Sequence, residues 1–456
     1  MNYIMEPDGS EFPIDCEDEE QVKEVLSKVD DEALFAYVMA EEVKGQPHKE
    51  PPSVDMMRRH ELIDYESASD QGHFRFYPKG QLIFELLRMW AEEVAMGRLG
   101  AYQIETPIIY DVDDPEIQAQ AGSFHERHYK VQGDKSFLLR FAGDFGLFKI
   151  MKQAKLSYKH LPVRVYEFSK SFRFEQSGEL SGLKRLRAFH MPDVHCFCRD
   201  LEQGWDEYEH LYRHYADLAD AMEVSYAIVF RVVREFYESH KDRIQELLKY
   251  SGRPAFIEVM PEMRHYWAVK HEFQGIDSVG GNLQLSTVQL DVKDAETYGI
   301  VYQDHDGGKK GCIICHSSVG SIERWIYAIL EEAHKMEHGQ LPLWLSPVQL
   351  RVIPVAERHV EHCMGLSFDG VRVDVDDRSE RLGKKIANAS SAWIPYVAVV
   401  GDEEVSKGMV RLRDREGEEQ LLSPAKVQEL IRGRCRGLPF RDLPLPRRVS
   451  RQLSFR

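Results

Sequence analysis

Apolar and polar residues alternate along residues 281–292 (GNLQLSTVQLDV), which predicts a strand with one apolar and one polar face. Residues 163–175 (VRVYEFSKSFRFE) read as a second strand. A polar, glycine-containing loop (QSGELSG) follows, then a basic segment (LKRLRAF) that runs into PDVH. The stretch KKGCIICHSSVGSIERWIYAILEEAHKM predicts strand, tight glycine turn and helix. QLIFELLRMWAEEVAMGRLG has the apolar spacing of an amphipathic helix and ends at Gly100. AYQIETPIIYD reads as a strand holding Pro107, and proline belongs to strand edges, ends and bulges. Residues 1–50 read as a small, acidic, mostly helical region, closed by the proline-rich linker KGQPHKEPPSVD. These strands lack a regular βαβ rhythm. The pattern therefore predicts an α+β fold, an antiparallel sheet flanked by helices. From about residue 342 the signals alternate (LRVIPV, VRVDVDD, RSERLGKKIANAS, YVAVVG, MVRLRDR, SPAKVQELI), which predicts a compact α/β domain of about 100 residues.

A chain of 456 residues has room for about two to four domains. We expect residues 1–50, 51–340, 341–435 and a tail over 436–456. No apolar run reaches the ~18 residues of a membrane span. The first residues carry neither a basic nor an apolar leader pattern. Seven cysteines without an export signal point to reduced thiols in the cytoplasm. The net charge of −17 argues against a nonspecific nucleic-acid binder, but local basic patches govern specific docking. Lys184, Arg185 and Arg187 form one such patch. Another is the tail from Arg432 to Arg456, with eight arginines and one aspartate, expected to be irregular and either frayed or in contact with RNA.

Arg173 and Glu175 share one face of their strand. A guanidinium beside a carboxylate, facing a loop, can grip a phosphate and a polar base together. Neither a GxGxxG nor a P-loop sequence is present. CIICH fits a haem-attachment pattern, but that chemistry requires export. Cys196, Cys198, Cys312 and Cys315 suggest an all-cysteine zinc site, yet the two cysteines of CFC are spaced too closely for it.

Together these segments resemble a class II aminoacyl-tRNA synthetase, and within that class the archaeal-type threonyl-tRNA synthetases. The helix and strand around Pro107 look like motif 1, which forms the family's dimer interface. SFRFEQSGELSGLKRLRAF looks like motif 2, and VGSIERWIYAILEE looks like motif 3. ELIDYESASDQGHFRFYPKGQLI and LQLSTVQLDV also look like this family, and PLWLSPVQL through MVRLR is similar to its anticodon-binding domain. The resemblance covers about 50–430 and implies a homodimeric, cytoplasmic threonine–tRNA ligase. It would use ATP with magnesium, L-threonine and tRNA(Thr), with one catalytic zinc per chain. It also implies roles. Arg173 would hold the α-phosphate, Arg185 the triphosphate and Glu175 the adenine edge. Phe189 and Arg324 would stack on the adenine, with Gly320 and Ser321 in the approaching turn. Gln284, Thr287 and Gln289 would line the ATP and threonine pocket with Asp193, Tyr266 and Lys270. Gln284 lies off the face shared by Thr287 and Gln289, so the strand would have to bend there.

The family's zinc ligands are Cys, His and His. Here the matching positions are Asp144, His195 and Cys315, still a competent zinc set. His316 would replace Cys315 only if the register slipped by one, which flips the side chain. Glu404 and Arg413 match anticodon-reading positions. The family's large editing domain has no counterpart in the first 50 residues, so serine charging and a separate trans-editing protein are expected, since one methyl is worth only ~1–3 kcal/mol. No residue is assigned as the base for the tRNA ribose, although His125 lies in a candidate loop. The rival readings are a related synthetase for another amino acid, such as serine, and a non-catalytic tRNA-binding paralogue.

Overall fold

The computed structural model describes residues 1–45, 51–123 and 127–455. His125 falls outside them. The chain divides into two compact units. The first comprises Met1–Pro51, Gln71–His73 and Ala91–Ala328; the second comprises Pro52–Asp70, Phe74–Trp90 and Ile329–Arg456.

The first unit is built on a ten-stranded sheet. Its strands are β1 (Asn2–Met5), β2 (Glu11–Ile14), β3 (Tyr102–Gln103), β4 (Val163–Phe172), β5 (Ala188–Cys198), β6 (Tyr226–Val233), β7 (Ala255–Met260), β8 (Trp267–Ile276), β9 (Asn282–Asp291) and β10 (Ile313–Ser318). Their order is β2-β1-β7-β6-β8-β9-β10-β5-β4-β3. Pairing is antiparallel except for β6 with β7 and β4 with β3. The first parallel pair is a single βαβ unit, joined through the helix Arg234–Ser251. Pro107 interrupts its predicted strand, which is present as two short pieces, β3 at the sheet edge and Ile109–Asp111 in a separate small sheet.

Residues 1–45 combine the expected helices with two short strands that were not expected. Helices Glu19–Leu26 and Glu32–Tyr37 form, but β1 and β2 pair first, and β1 extends the large sheet against β7. Strands of four residues are too short for alternation to reveal. Ile4, Val22, Leu34 and Tyr37 are fully buried in one cluster with Val229 and Phe256 of the sheet.

Strand alternation divides the central sheet into two chemistries. On one face, Cys196, Cys198, Cys315 and Ser317 turn toward the helix Leu201–Ala221. There Ile313 and Leu290 pack at Gly204, and the Tyr215 hydroxyl donates to Ser317 Oγ at 2.8 Å. The other face carries Asp193 and His195 on β5, Thr287 and Gln289 on β9, and His316 and Ser318 on β10.

The second unit holds a five-stranded sheet of Val373–Val375, Leu350–Pro354, Tyr396–Val400, Val410–Arg413 and Glu419–Leu422, in that order. The first three strands are parallel and the last two antiparallel. The tail is not frayed in this unit. Arg441 meets Glu85 at 3.0 Å, and Arg448 meets Glu361 and Asp377 at 2.5 and 3.4 Å. The Ser454 hydroxyl and the Phe455 amide both donate to Glu61 Oε1, at 2.6 and 2.9 Å. Arg441 and Arg448 thus spend their charge on carboxylates of their own unit. No described helix is long and apolar enough to cross a membrane.

Candidate active site

A cavity of about 560 Å³ opens over the polar face of the first unit's sheet. Phe148, Arg173, Asp193, His195, Tyr266 and His316 are among its lining residues.

Its metal-type corner differs from the expected set. Asp144, His195 and His316 each offer a ligand atom, all within 4.8 Å of one another. Cys315 is excluded. In the register, His195 lies opposite His316 and Cys196 opposite Cys315, so both cysteines point into the apolar layer on the far face. Cys315 is fully buried there, and burial raises its thiol pKa well above the ordinary value. Ile314, His316 and Ser318 share the face that meets His195, so no slip is needed. Period-two alternation carried from β5 across to β10 places His316, not Cys315, beside His195.

Charge explains the protonation of this corner. His195 Nε2 lies 3.1 Å from Asp144 Oδ1. Burial works against ionisation of Asp144, but the His195 hydrogen bond and the fields of His195, His316 and Arg173 outweigh it and lower its pKa. His316 is buried too, yet Asp291 Oδ2 at 2.8 Å, with the charges of Asp144 and Asp294, raises its pKa. His195 is lowered by burial. Asp193 is buried beside Asp144, which pushes its carboxyl up to about 7 despite a 3.0 Å hydrogen bond from Ser169 Oγ. Asp291 was not foreseen. It supports His316 as outer partners of metal-binding imidazoles do, leaving the other ring nitrogen for a ligand.

The phosphate-type corner lies beyond Arg173. Its Nε donates to the Phe141 carbonyl at 3.2 Å, and its guanidinium lies 5.1 Å from the centre of the Phe189 ring. Arg324 donates to the Lys184 and Gln284 carbonyls at 2.9 and 3.2 Å. Burial and the neighbouring guanidiniums of Arg173 and Arg185 lower Arg324 to about 10. Three arginines therefore face one region. The Arg185 guanidinium donates to Glu175 Oε2 at 2.9 Å, and the unforeseen Arg127 reaches the same oxygen at 3.0 Å. Glu175 is buried under both.

The required bend in β9 is present. Glu272 pairs with Thr287 but Gln274 with Gln284, so β9 carries one extra residue at Leu285–Ser286. The bulge returns Gln284 to the face of Thr287. Gln289 Oε1 accepts from the Tyr266 hydroxyl at 2.6 Å, while Lys270 pairs with Glu272 at 2.5 Å. Gly320 has φ +91°, and a Cβ there would lie 2.4 Å from the Leu285 carbonyl oxygen, so only glycine fits the bulge. Ser321 Oγ accepts the Arg324 amide at 3.2 Å and starts the helix Ile322–Lys335. In the second unit, Glu404 is buried. It accepts the Gly401 amide at 2.9 Å, capping its own helix, and pairs with Arg411 at 3.0 Å. Arg413 lies near Glu419 at 3.5 Å and is half exposed.

A buried brace ties these parts together. Arg140 Nη1 donates to Glu167 Oε1 at 2.6 Å and to Thr106 Oγ1 at 2.7 Å, and Arg140 Nε donates to the Lys170 carbonyl at 2.8 Å. Glu167→Ala leaves the buried Arg140 unpaired. It should lower stability by roughly 3–5 kcal/mol, read from denaturant unfolding. A loss near zero would show the brace to be dispensable.

Family models place this geometry. Residues 129–333 match the tRNA synthetase class II core domain (G, H, P, S and T), and residues 349–434 match the anticodon binding domain. Core and appended domain together define a class II tRNA synthetase. Threonine–tRNA ligase of Pyrococcus horikoshii is 43% identical over 90% of this chain and 68% of its own length. That of Thermococcus kodakarensis is 40% identical over 100% of this chain and 74% of its own. The chain belongs to the archaeal threonine–tRNA ligase family. Its fold is similar to the crystal structure of the RNA binding domain of threonyl-tRNA synthetase from Cryptosporidium parvum, with TM-score 0.73 at 22% identity over 85% of this chain and 98% of that one. It is also similar to Giardia lamblia prolyl-tRNA synthetase in complex with prolyl-adenylate, with TM-score 0.67 at 16% identity over 82% and 73% of the two chains.

Proposed function

We propose that this chain activates L-threonine with ATP and transfers it to tRNA(Thr). The observation that carries this reading is one cavity lined by Asp144, His195, His316 and Arg173, with Arg173 in the field of Arg324 and Arg185. Activation joins the threonine carboxylate to the α-phosphate of ATP and releases pyrophosphate. Negative charge gathers on that phosphate in the transition state, so fixed cations lower the barrier most. Arg173 would hold the α-phosphate, bidentate geometry being the strength of a guanidinium. Arg185 would exchange Glu175 for the triphosphate, freeing the carboxylate for the adenine amine. Phe189 and Arg324 would hold the adenine ring. Magnesium would enter bound to the ATP phosphates.

Asp144, His195 and His316 fit a zinc ion by donor type and spacing. Zinc bound there would supply a Lewis acid for the amino group and hydroxyl of threonine. Asp193 would face that hydroxyl, with Gln289 and Tyr266 bounding the pocket and Lys270 beside Gln289 on the neighbouring strand. The test is amino-acid-dependent ATP–pyrophosphate exchange with threonine, serine and valine. Strong exchange with threonine and none with valine supports the reading; equal rates with serine and threonine favour a serine enzyme. Because serine lacks only one methyl, its exchange efficiency should trail threonine by only about 10–200-fold.

A homodimer and a cytoplasmic location complete the proposal. Tyr102, Ile108 and Ile109 around Pro107 are 69%, 43% and 48% exposed, an apolar group at a sheet edge that a second copy would cover. Sedimentation at micromolar concentration should give a dimer, and Ile109→Asp should give monomers.

A further inference from the structure

The second unit contains a cleft that the aminoacylation chemistry does not use. It encloses about 550 Å³, with Arg59, His60, Glu61, Lys79 and Trp393 on its walls. An adjoining hollow of about 560 Å³ shares Glu61 and Lys79 and is closed by the tail at Phe455.

Two independent features mark it as a built site. The first is an aromatic pair. The His60 and Trp393 rings lie 3.9 Å apart between centroids at 33°. The buried His60 Nε2 has no hydrogen-bond partner among the described residues. The second is charge. Burial, then the fields of Arg59, Lys79 and Arg415, lowers His60 to about 4, so the ring is neutral in a positive surrounding. Lys79 lies in the first turn of the helix Pro78–Glu92, whose amino end adds to that field. Its nearest carboxylate is Glu61 at 3.9 Å, whose other oxygen already accepts from the tail. Burial also lowers the Lys79 pKa, so its charge is incompletely compensated.

We propose that this cleft binds a nucleotide, its base against the His60–Trp393 pair and its phosphate toward Lys79 and Arg59. Planar heteroaromatic rings stack on aromatic side chains with little regard for base identity. The same chemistry is offered by a free mononucleotide and by one nucleotide of a bound tRNA.

Equilibrium dialysis of AMP and GMP separates the two sources. The full chain carries Arg324→Ala, which weakens the adenine site of the first unit. Lys79→Gln or Trp393→Asn is added; asparagine tolerates the left-handed backbone of Trp393, at φ +56°, and removes the ring. Binding that survives Arg324→Ala and weakens roughly tenfold or more with either addition establishes a free-nucleotide site. Should AMP and GMP not bind, the tRNA(Thr) affinities of Lys79→Gln and Trp393→Asn alone decide. A roughly tenfold loss in both, with threonine-dependent exchange unchanged, assigns the cleft to a nucleotide of the tRNA. Unchanged affinity for both nucleotide and tRNA overturns the proposal.

Discussion

Arg173→Ala should lower threonine-dependent pyrophosphate exchange by about 10²–10³-fold, the usual cost of removing one aimed donor. The guanidinium is half-buried and anchored on the Phe141 carbonyl, so its charge stays fixed while the phosphate acquires negative charge. Burial lowers its pKa against the fields of Glu175, Asp193 and Asp144. Lysine should restore little, because a point charge cannot supply the planar fork. The loss should fall on kcat more than on the KM for threonine. Circular dichroism should be unchanged, since Arg173 lies outside the buried brace. Exchange within tenfold of the parent would mean that Arg324 or Arg185 carries the α-phosphate instead.

The second large effect separates two adjacent residues. Asp144→Ala and His316→Ala should each lower zinc affinity by ~10–100-fold or more, since even outer partners of metal ligands cost that much. Cys315→Ala should leave metal content at the parent level and cost only packing. The lost sulfur faces the apolar layer opposite Cys196 and cannot reach His195 across the sheet. Zinc measured by mass spectrometry after dialysis reads this directly. A Cys315→Ala protein that loses zinc while His316→Ala keeps it would overturn the assignment. Valine is the functional reporter: with the metal corner broken, the hydroxyl loses its partner and discrimination against valine should collapse.

Much of this was legible in the sequence because each motif couples a period to a chemistry. The alternation of GNLQLSTVQLDV placed Thr287 and Gln289 together and implied a bend before Gln284, which is the Leu285–Ser286 bulge. Pro107 marked an edge and a break. The sequence also contained the metal register: His316 is on the site face because it sits opposite His195, a long-range fact that local alignment does not weigh. Other features depend on tertiary partners. Arg127 on Glu175, Asp291 behind His316 and the Arg140–Glu167 pair each join residues at least 25 positions apart. The cap that Glu404 makes on the Gly401 amide is local, yet a capping and a recognition carboxylate look alike in sequence.

The brace under the cavity has a consequence for how the two substrates meet. Glu167 and Thr106 grip Arg140, whose carbonyl accepts the Phe172 amide at 2.8 Å. The next carbonyl along, Phe141, anchors Arg173, and Asp144 follows three residues later. Arg173's anchor and Asp144 thus hang from one short stretch of clamped backbone. The span between them is therefore a property of the protein frame, like the fixed jaw of a gauge. A shift of that backbone would carry Arg173's anchor and Asp144 together, so neither end of the cavity wall could be displaced alone.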